Sequence, residues 1–450
     1  MEGCRNILPL FKKNTTMSKR YFILITFMTM LVVAVLATRT KQHEVPVLLE
    51  RNALLAADAS WADTKNAIRL LEQKLTENQN DVKSRLLLVQ AYIREGRITG
   101  NHVYYDGLAF SHVNKILKKD PQNFEALCSK ATIQASEHQF SEALATANEG
   151  IQINPYNSYV CGVKCDAQVE LGMYSEAIKT ADKMSSLRPD IKSYTRISYL
   201  REIYGDYQGS KEAMDMALQS GAPGLEETEW VRVYLGHLYQ LTGDDQKAAY
   251  YYRTSLVNRP GYPVALSALG ELFMVNNELD SALKYYLRAT ETAPDYSYYM
   301  ALGNIYKGKG LKEQSEKAYN SSMDILIKHK QATSEENGEG HFVDKELAQL
   351  NIAMGKYDEA YSNAMMEYNR RPLNIDINET LAWAALHAGR LKEAQEHITM
   401  ALKTNSKNPK LHFKAAIIYQ RANEIQKSKE YAGMARATNK NIDFYFKYSM

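Results

Sequence analysis

Cysteine is scarce: four residues in 450 cannot build a disulfide framework, and no CxxC pair is present to hold a zinc ribbon. Cys161 and Cys165 stand one helical turn apart and read as small apolar packing residues, with no further metal ligands to place beside them. Proline is also rare, with 11 residues, and it falls at boundaries. Pro121, Pro155, Pro189 and Pro223 are 34 residues apart, Pro260, Pro294 and Pro372 end later units, and Pro263 and Pro409 open the next ones. Charge of one sign is lacking, because 55 basic residues face 52 acidic ones and no basic tract carries interleaved aromatics. That balance excludes the usual signature of a nucleic-acid partner. The chain contains no HExxH, no glycine-rich phosphate loop and no GxSxG, and its ten histidines are scattered. No catalytic residue, metal site, cofactor or small-molecule substrate is therefore expected.

Long apolar runs are absent except at the amino terminus. Tyr21 to Ala37 carries no charge and would span about 26 Å as a helix, behind Lys12, Lys13, Lys19 and Arg20. The expected layout is a basic cytoplasmic region 1–20, a signal anchor or cleavable signal peptide 21–37, and a linker 38–47. Val35-Leu36-Ala37 offers a small-residue cleavage pattern, and Met17 an alternative start. The basic flank places the amino terminus in the cytoplasm and the rest of the chain outside it. The protein is thus expected in a membrane as a single-pass, extracytoplasmic protein, or secreted if cleaved.

What the sequence does contain is one phrase many times over. Residues 229–262 and 263–296 each hold two apolar runs at helical spacing around a break: Leu235, Gly236 and Tyr239 with Ala248, Tyr252 and Ser255, then Leu269, Gly270 and Phe273 with Ala282, Tyr286 and Ala289. Gly236, Gly270, Gly303, Ala348, Ala382 and Ala416 share one place in the first helix. Ala143, Ala177, Ala248, Ala282, Ala360 and Ala394 share one in the second, where close helix approach requires small side chains. The break is Gly96, Gly172, Gly205, Gly243, Gly310, Gly355 or Gly389, with Asn277, Asn423 and His138 in the other units. This is the distribution that a left-handed helix end selects.

The spacing Leu235, Gly236, Tyr239, Gly243, Ala248, Tyr252, Pro260 resembles the tetratricopeptide repeat, whose period of 34 the chain keeps. The usual Trp near the start of the first helix is missing throughout. The resemblance implies an all-α fold, a right-handed α-solenoid of about eleven antiparallel helix pairs over 48–442, preceded by one apolar helix. Insertions are expected near 97–105, enlarging a turn, and near 330–340, as a polar loop. Phe444 and Phe446 are expected to fold over the last pair as a cap within 443–450.

In that family, partner segments lie along the concave wall of first helices. The inward residues expected here are Arg196, His237, Gln240, Glu271, Met274, Asn304, Lys307, Lys345, Gln349, Trp383 and His387, with Trp383 read as an exposed anchor. The Lys and Asn pairs that clamp a peptide carboxylate in some relatives have no counterpart in adjacent units. The reading is a non-enzymatic, exported or membrane-tethered scaffold for a protein or peptide partner. Two alternatives are an assembly or regulatory subunit that positions an envelope enzyme, and a carbohydrate-handling protein on a helical frame. The latter is disfavoured because no carboxylate pair stands out from the helix-face background.

Overall fold

The computed structural model describes residues 48–56, 60–332 and 341–445, and every element among them is a helix. The segment 21–37 and the linker 38–47 lie outside the described residues. Among those described, no helix is long and apolar enough to cross a membrane. Ten antiparallel pairs follow one another from Val82 to Thr438, among them Glu226–Leu241 with Asp245–Asn258, Pro263–Val275 with Leu279–Thr292, and Tyr296–Gly308 with Lys312–Gln331. The expected pair at 48–81 is described only as the short helix Ala53–Ala56 and the long helix Ser60–Glu77.

Local chemistry sets the helix limits. The side chains of Asn123, Asn157, Asp190, Asn374 and Asn408 accept hydrogen bonds from backbone N–H groups in the first turns of their helices, and Pro263 and Pro409 occupy first-turn positions where no amide proton is missed. At the breaks His138, Asn277 and Asn423 take φ of 61°, 62° and 64°, beside the left-handed glycines. One break is misplaced in the sequence reading: Gly96 lies inside the helix Val82–Thr99, and Gly100 ends it at φ 75°. The expected turn insertion at 97–105 is accordingly corrected. Its extra residues lengthen Val82–Thr99 and the next helix, His102–Leu117, because Thr99 and Tyr105 find buried places along them. The 330–340 insertion falls mostly outside the described residues, after a helix that runs to Gln331. The side chains of Phe444 and Phe446 are likewise outside them. Ile442 is the buried residue at this end, packed with Val275 and Ala435.

The two helices of a pair meet where one lacks a side chain. A Cβ at Gly270 would lie 2.7 Å from the ring of Tyr286, and one at Gly236 2.6 Å from that of Tyr252. Tyr319 fills the same place against Gly303. Where the first helix carries Ala instead, at Ala348, the partner sixteen positions on is the small Ala364, and both lie in one core cluster. Volume is exchanged across the crossing, as a close-packed interior requires.

Within residues 49–450 the array coils until residues about 200 apart touch, which is roughly six units. Ile375 N–H donates to the Tyr174 hydroxyl at 2.8 Å, and the Asn374 amide donates to the Glu170 carbonyl at 2.9 Å. Two units further along, the Asn439 amide donates to the Gln240 carbonyl at 3.0 Å, across 199 residues. These carbonyls belong to the last turns of first helices, where the next turn of the coil supplies a donor, the only one to the Glu170 carbonyl among the described residues and one added to the Gly243 N–H for that of Gln240. At the earlier end, His138 Nδ1–H donates to the Phe342 carbonyl at 2.7 Å, and Phe342 N–H to the Glu137 carbonyl at 3.1 Å.

Gly270→Ala should destabilise by about 1–3 kcal/mol through overpacking, although alanine is the better helix former by about 1 kcal/mol. In a Tyr286→Ala background, itself destabilised as a core deletion, the added penalty of Gly270→Ala should shrink. A more stable Gly270→Ala protein in thermal melts would refute the crossing geometry.

A second expectation concerns acid. The ring of His341 lies 4.5 Å from that of His138 and 5.6 Å from that of His329. Burial first, then His138, His329 and His102, push the pKa of His341 down to about 2. The unfolded chain takes up this proton near pH 6.5 and the folded one does not, so this contribution to stability is present above pH 6.5 and lost as pH falls. Glu137 nearby works oppositely, since burial and Asp106 push it up to about 7. The comparison is therefore with His341→Phe. Between pH 6.5 and 5 the variant should gain on the parent by up to about 1.4 kcal/mol per pH unit, and parallel pH profiles would exclude the effect.

Candidate functional site

Inward residues recur at fixed distances from each helix-ending residue. Six positions before it stand Asp166, Tyr199, His237, Glu271, Asn304 and Gln349 in successive units, a register that the buried Trp383 also occupies, and thirteen before it stand Trp230, Asp376 and Lys410. Coiling brings these positions to face one another. Lys410 Nζ lies 2.8 Å from Glu271 Oε1 although 139 residues separate them, so the pair crosses the interior of the coil. Lys410 is the main cause that lowers the pKa of Glu271, against burial. Burial and then Lys410 lower that of His237, which leaves a neutral imidazole.

Arg196 is held by three acceptors: its Nε donates to the Gly162 carbonyl at 3.1 Å, Nη1 to the Lys192 carbonyl at 2.8 Å, and Nη2 to Asp166. Lys345 is half-buried. Burial opposes its charge, but Asp376, Glu346 and Glu170 outweigh that and raise its pKa. Asn304 accepts from the Tyr319 hydroxyl at 2.6 Å, the exposed Lys307 donates to the Ala353 carbonyl at 3.2 Å, and Gln349 is half-buried. The ring of His387 stacks on Tyr357 at 4.9 Å.

Three of the expected inward residues are instead core. Gln240 is 1% exposed and accepts from the Tyr252 hydroxyl at 2.7 Å, Met274 packs with Ala282 and Tyr286, and Trp383 is 5% exposed. The reading of Trp383 as an exposed anchor is corrected: it packs among Ile352, Leu381 and Ala384, because at this unit the neighbouring helix comes close enough to cover the ring. The exposed tryptophan is Trp230, at 39%. Its ring stacks on Tyr234 at 5.2 Å, and the Tyr234 hydroxyl donates to Glu202 at 2.8 Å.

Two cavities share Tyr199 as a wall. The larger, about 360 Å³, is bounded by Val169, Met214, Trp230, Tyr234 and Arg196. The smaller, about 190 Å³, is bounded by Glu202, Asp376, Glu379, Ser406 and Leu411. Of these residues the sequence reading named only Arg196. The shared register of Tyr199 with His237, and of Trp230 with Lys410, is the pattern by which the others could be found.

Residues 296–325, within the pair Tyr296–Gly308 and Lys312–Gln331, match the family model described as tetratricopeptide repeat. No curated protein matches the chain significantly. Among solved structures, the chain is similar to human IFIT1, described as a dimer with PPP-AAAA, at 12% identity and a TM-score of 0.46, over 86% of this chain and 91% of that one. It is similar to the APC/C hetero-tetramer Cut9-Hcn1 at 13% identity and 0.41, over 84% and 74%. It is also similar to PilW, described as a widely conserved type IV pilus biogenesis factor, at 15% identity and 0.38, over 46% and 96%. At these values none of them bears on what this chain binds. One unit matches the tetratricopeptide repeat by sequence and the other pairs repeat its helix–turn–helix geometry, so the described residues form an all-helical array of tetratricopeptide-like units, an architecture suited to scaffolding protein contacts.

The two tryptophans should separate in experiment. Trp383→Ala should cost about 3–5 kcal/mol as a core deletion, whereas Trp230→Ala should change stability by less than about 1 kcal/mol. Equal losses in chemical denaturation would reverse the assignment of core and inner wall.

Proposed function

We propose that the protein is a non-catalytic scaffold that receives a segment of a partner protein on the inner wall of the coil, and that its amino-terminal segment exports it or tethers it to a membrane. The observation that carries the first part is Trp230, 39% exposed beside Tyr199 and Tyr234 at the mouth of a cavity of about 360 Å³. A large ring left open in a concave place gains most from being covered, as interface anchors do. The fixed guanidinium of Arg196 and the carboxylate of Glu202 supply direction at either side. The second part rests on the uncharged run 21–37 behind its basic flank.

A photo-crosslinking side chain placed at Tyr199 in the native cell should capture a discrete protein adduct. The same group at Tyr250, 63% exposed on a second helix, should not. Capture at Tyr250 alone would overturn the inner-wall reading. In the same cells the protein should fractionate with membranes or with exported material, and recovery in the cytosol would overturn the targeting reading.

A further inference from the structure

The inner wall carries more carboxylate than it pairs. Around the two cavities Asp166 is matched by Arg196, Glu170 by Arg371, and Glu379 by Lys414 at 2.7 Å. Neither Glu202 nor Asp376 has an ion pair within 4 Å among the described residues, although Lys345 acts on Asp376 from further away, and both border the cavity of about 190 Å³. Lys410, the cation nearest in effect to Glu202, is already engaged by Glu271. A third polar group lies at the same place. The Tyr207 hydroxyl, in a residue 8% exposed, stands beside Ser406 and Glu202 with no hydrogen bond of good geometry to either. A phenolic oxygen left so deep in protein costs free energy until something meets it.

The adjoining cavity has the opposite character. Trp230, Tyr234, Tyr199, Met214 and Val169 make it chiefly apolar and aromatic. A small polar pocket bordered by Glu202 and Asp376, sharing Tyr199 with a larger and chiefly apolar one, matches a side chain with an apolar stem and a cationic head. An anionic head would meet Glu202 and Asp376, and an apolar one would leave both desolvated without compensation. No group of carboxylates, histidines or cysteines among the described residues is disposed to hold a metal ion.

Resting on the inner wall as the partner site, the geometry points to an arginine or lysine side chain of the partner segment as the occupant, its stem along Trp230 and Tyr199 and its head between Glu202 and Asp376. The aromatic faces add cation–π attraction to the two carboxylates. Burial, followed by Asp376, pushes Glu202 up to about 7, with Tyr234 and Lys410 opposing, so a cation brought beside it would favour its ionised form.

The test is to pan a random dodecapeptide library against the full chain and to measure enriched peptides on Glu202→Gln/Asp376→Asn and on Trp230→Ala. Enriched peptides should share an Arg or Lys, and replacing it by norleucine should weaken binding about tenfold, the scale of a charged hydrogen bond. The carboxylate double variant should show a similar loss. Trp230→Ala, which lies outside the core, keeps the test decisive if the double variant does not fold, since it too should bind basic peptides several-fold more weakly. Enrichment of acidic or purely apolar peptides would overturn the inference. Basic peptides that bind parent and variants alike would do the same. A free polyamine that binds as tightly as the peptides would replace the partner segment by a small cation and overturn this occupant. If the library yields no basic preference while a Tyr199 crosslinker still captures a protein, only the arginine or lysine assignment falls; if both fail, the inner-wall reading falls with it.

Discussion

The Asn374 and Asn439 amides donate to carbonyls at the ends of first helices roughly 200 residues earlier in the chain. Such carbonyls end a helix without an intrahelical donor, and water usually serves them. Here the next turn of the coil serves Glu170 and adds to the Gly243 N–H that Gln240 already has, and Gly172 shows the closeness this demands: the backbone of Leu373 occupies the place a Cβ would take. The φ of 76° that lets Gly172 end its helix and the missing side chain that admits Leu373 are two uses of one residue. Gly205, against the backbone of Asn405 and Lys407, repeats the arrangement one unit on. An open array of helix pairs becomes a coil whose turns touch.

That closure decides the character of the inner wall. Side chains that would be dispersed over an open concave face are brought within Coulomb range of units far away in sequence, as Lys410 and Glu271 show at 2.8 Å. In such surroundings a charge must pair or shift. Asp166, Glu170, Glu271 and Glu379 pair, His237 stays neutral, and Glu202 rises to about 7. The same crowding sets aromatic rings into facing positions, so that Tyr199 serves two cavities at once. Binding chemistry in this molecule is a property of the coil rather than of any one repeat.

The helices, their limits and their pairwise crossings were legible in the sequence because they depend on residues near one another. Proline spacing, Asn and Gly at the breaks, and small residues at the crossing all act within one unit of 34, over distances that helical periodicity already specifies. His138 at φ 61° was readable for the same reason, as a side chain tolerated at a left-handed helix end. The lengthened helices around Gly100 were not, since a tract that lacks turn chemistry and one that extends a helix differ only in what buries Tyr105.

What the sequence could not supply was the pairing between units six apart. Helical spacing names the residues that point inward, but it leaves open which of them meet: Trp383, expected to be exposed, is buried, and Trp230, not among the residues named, is the exposed one. One was covered by a neighbouring helix and the other left open at a cavity, which their different registers along the first helix do not by themselves reveal. Local backbone chemistry therefore determined an all-helical array of repeats. Only tertiary closure decided where its unpaired carboxylates, its exposed tryptophan and its cavities coincide, because the rotation accumulated over several units sets those distances and no single unit encodes it.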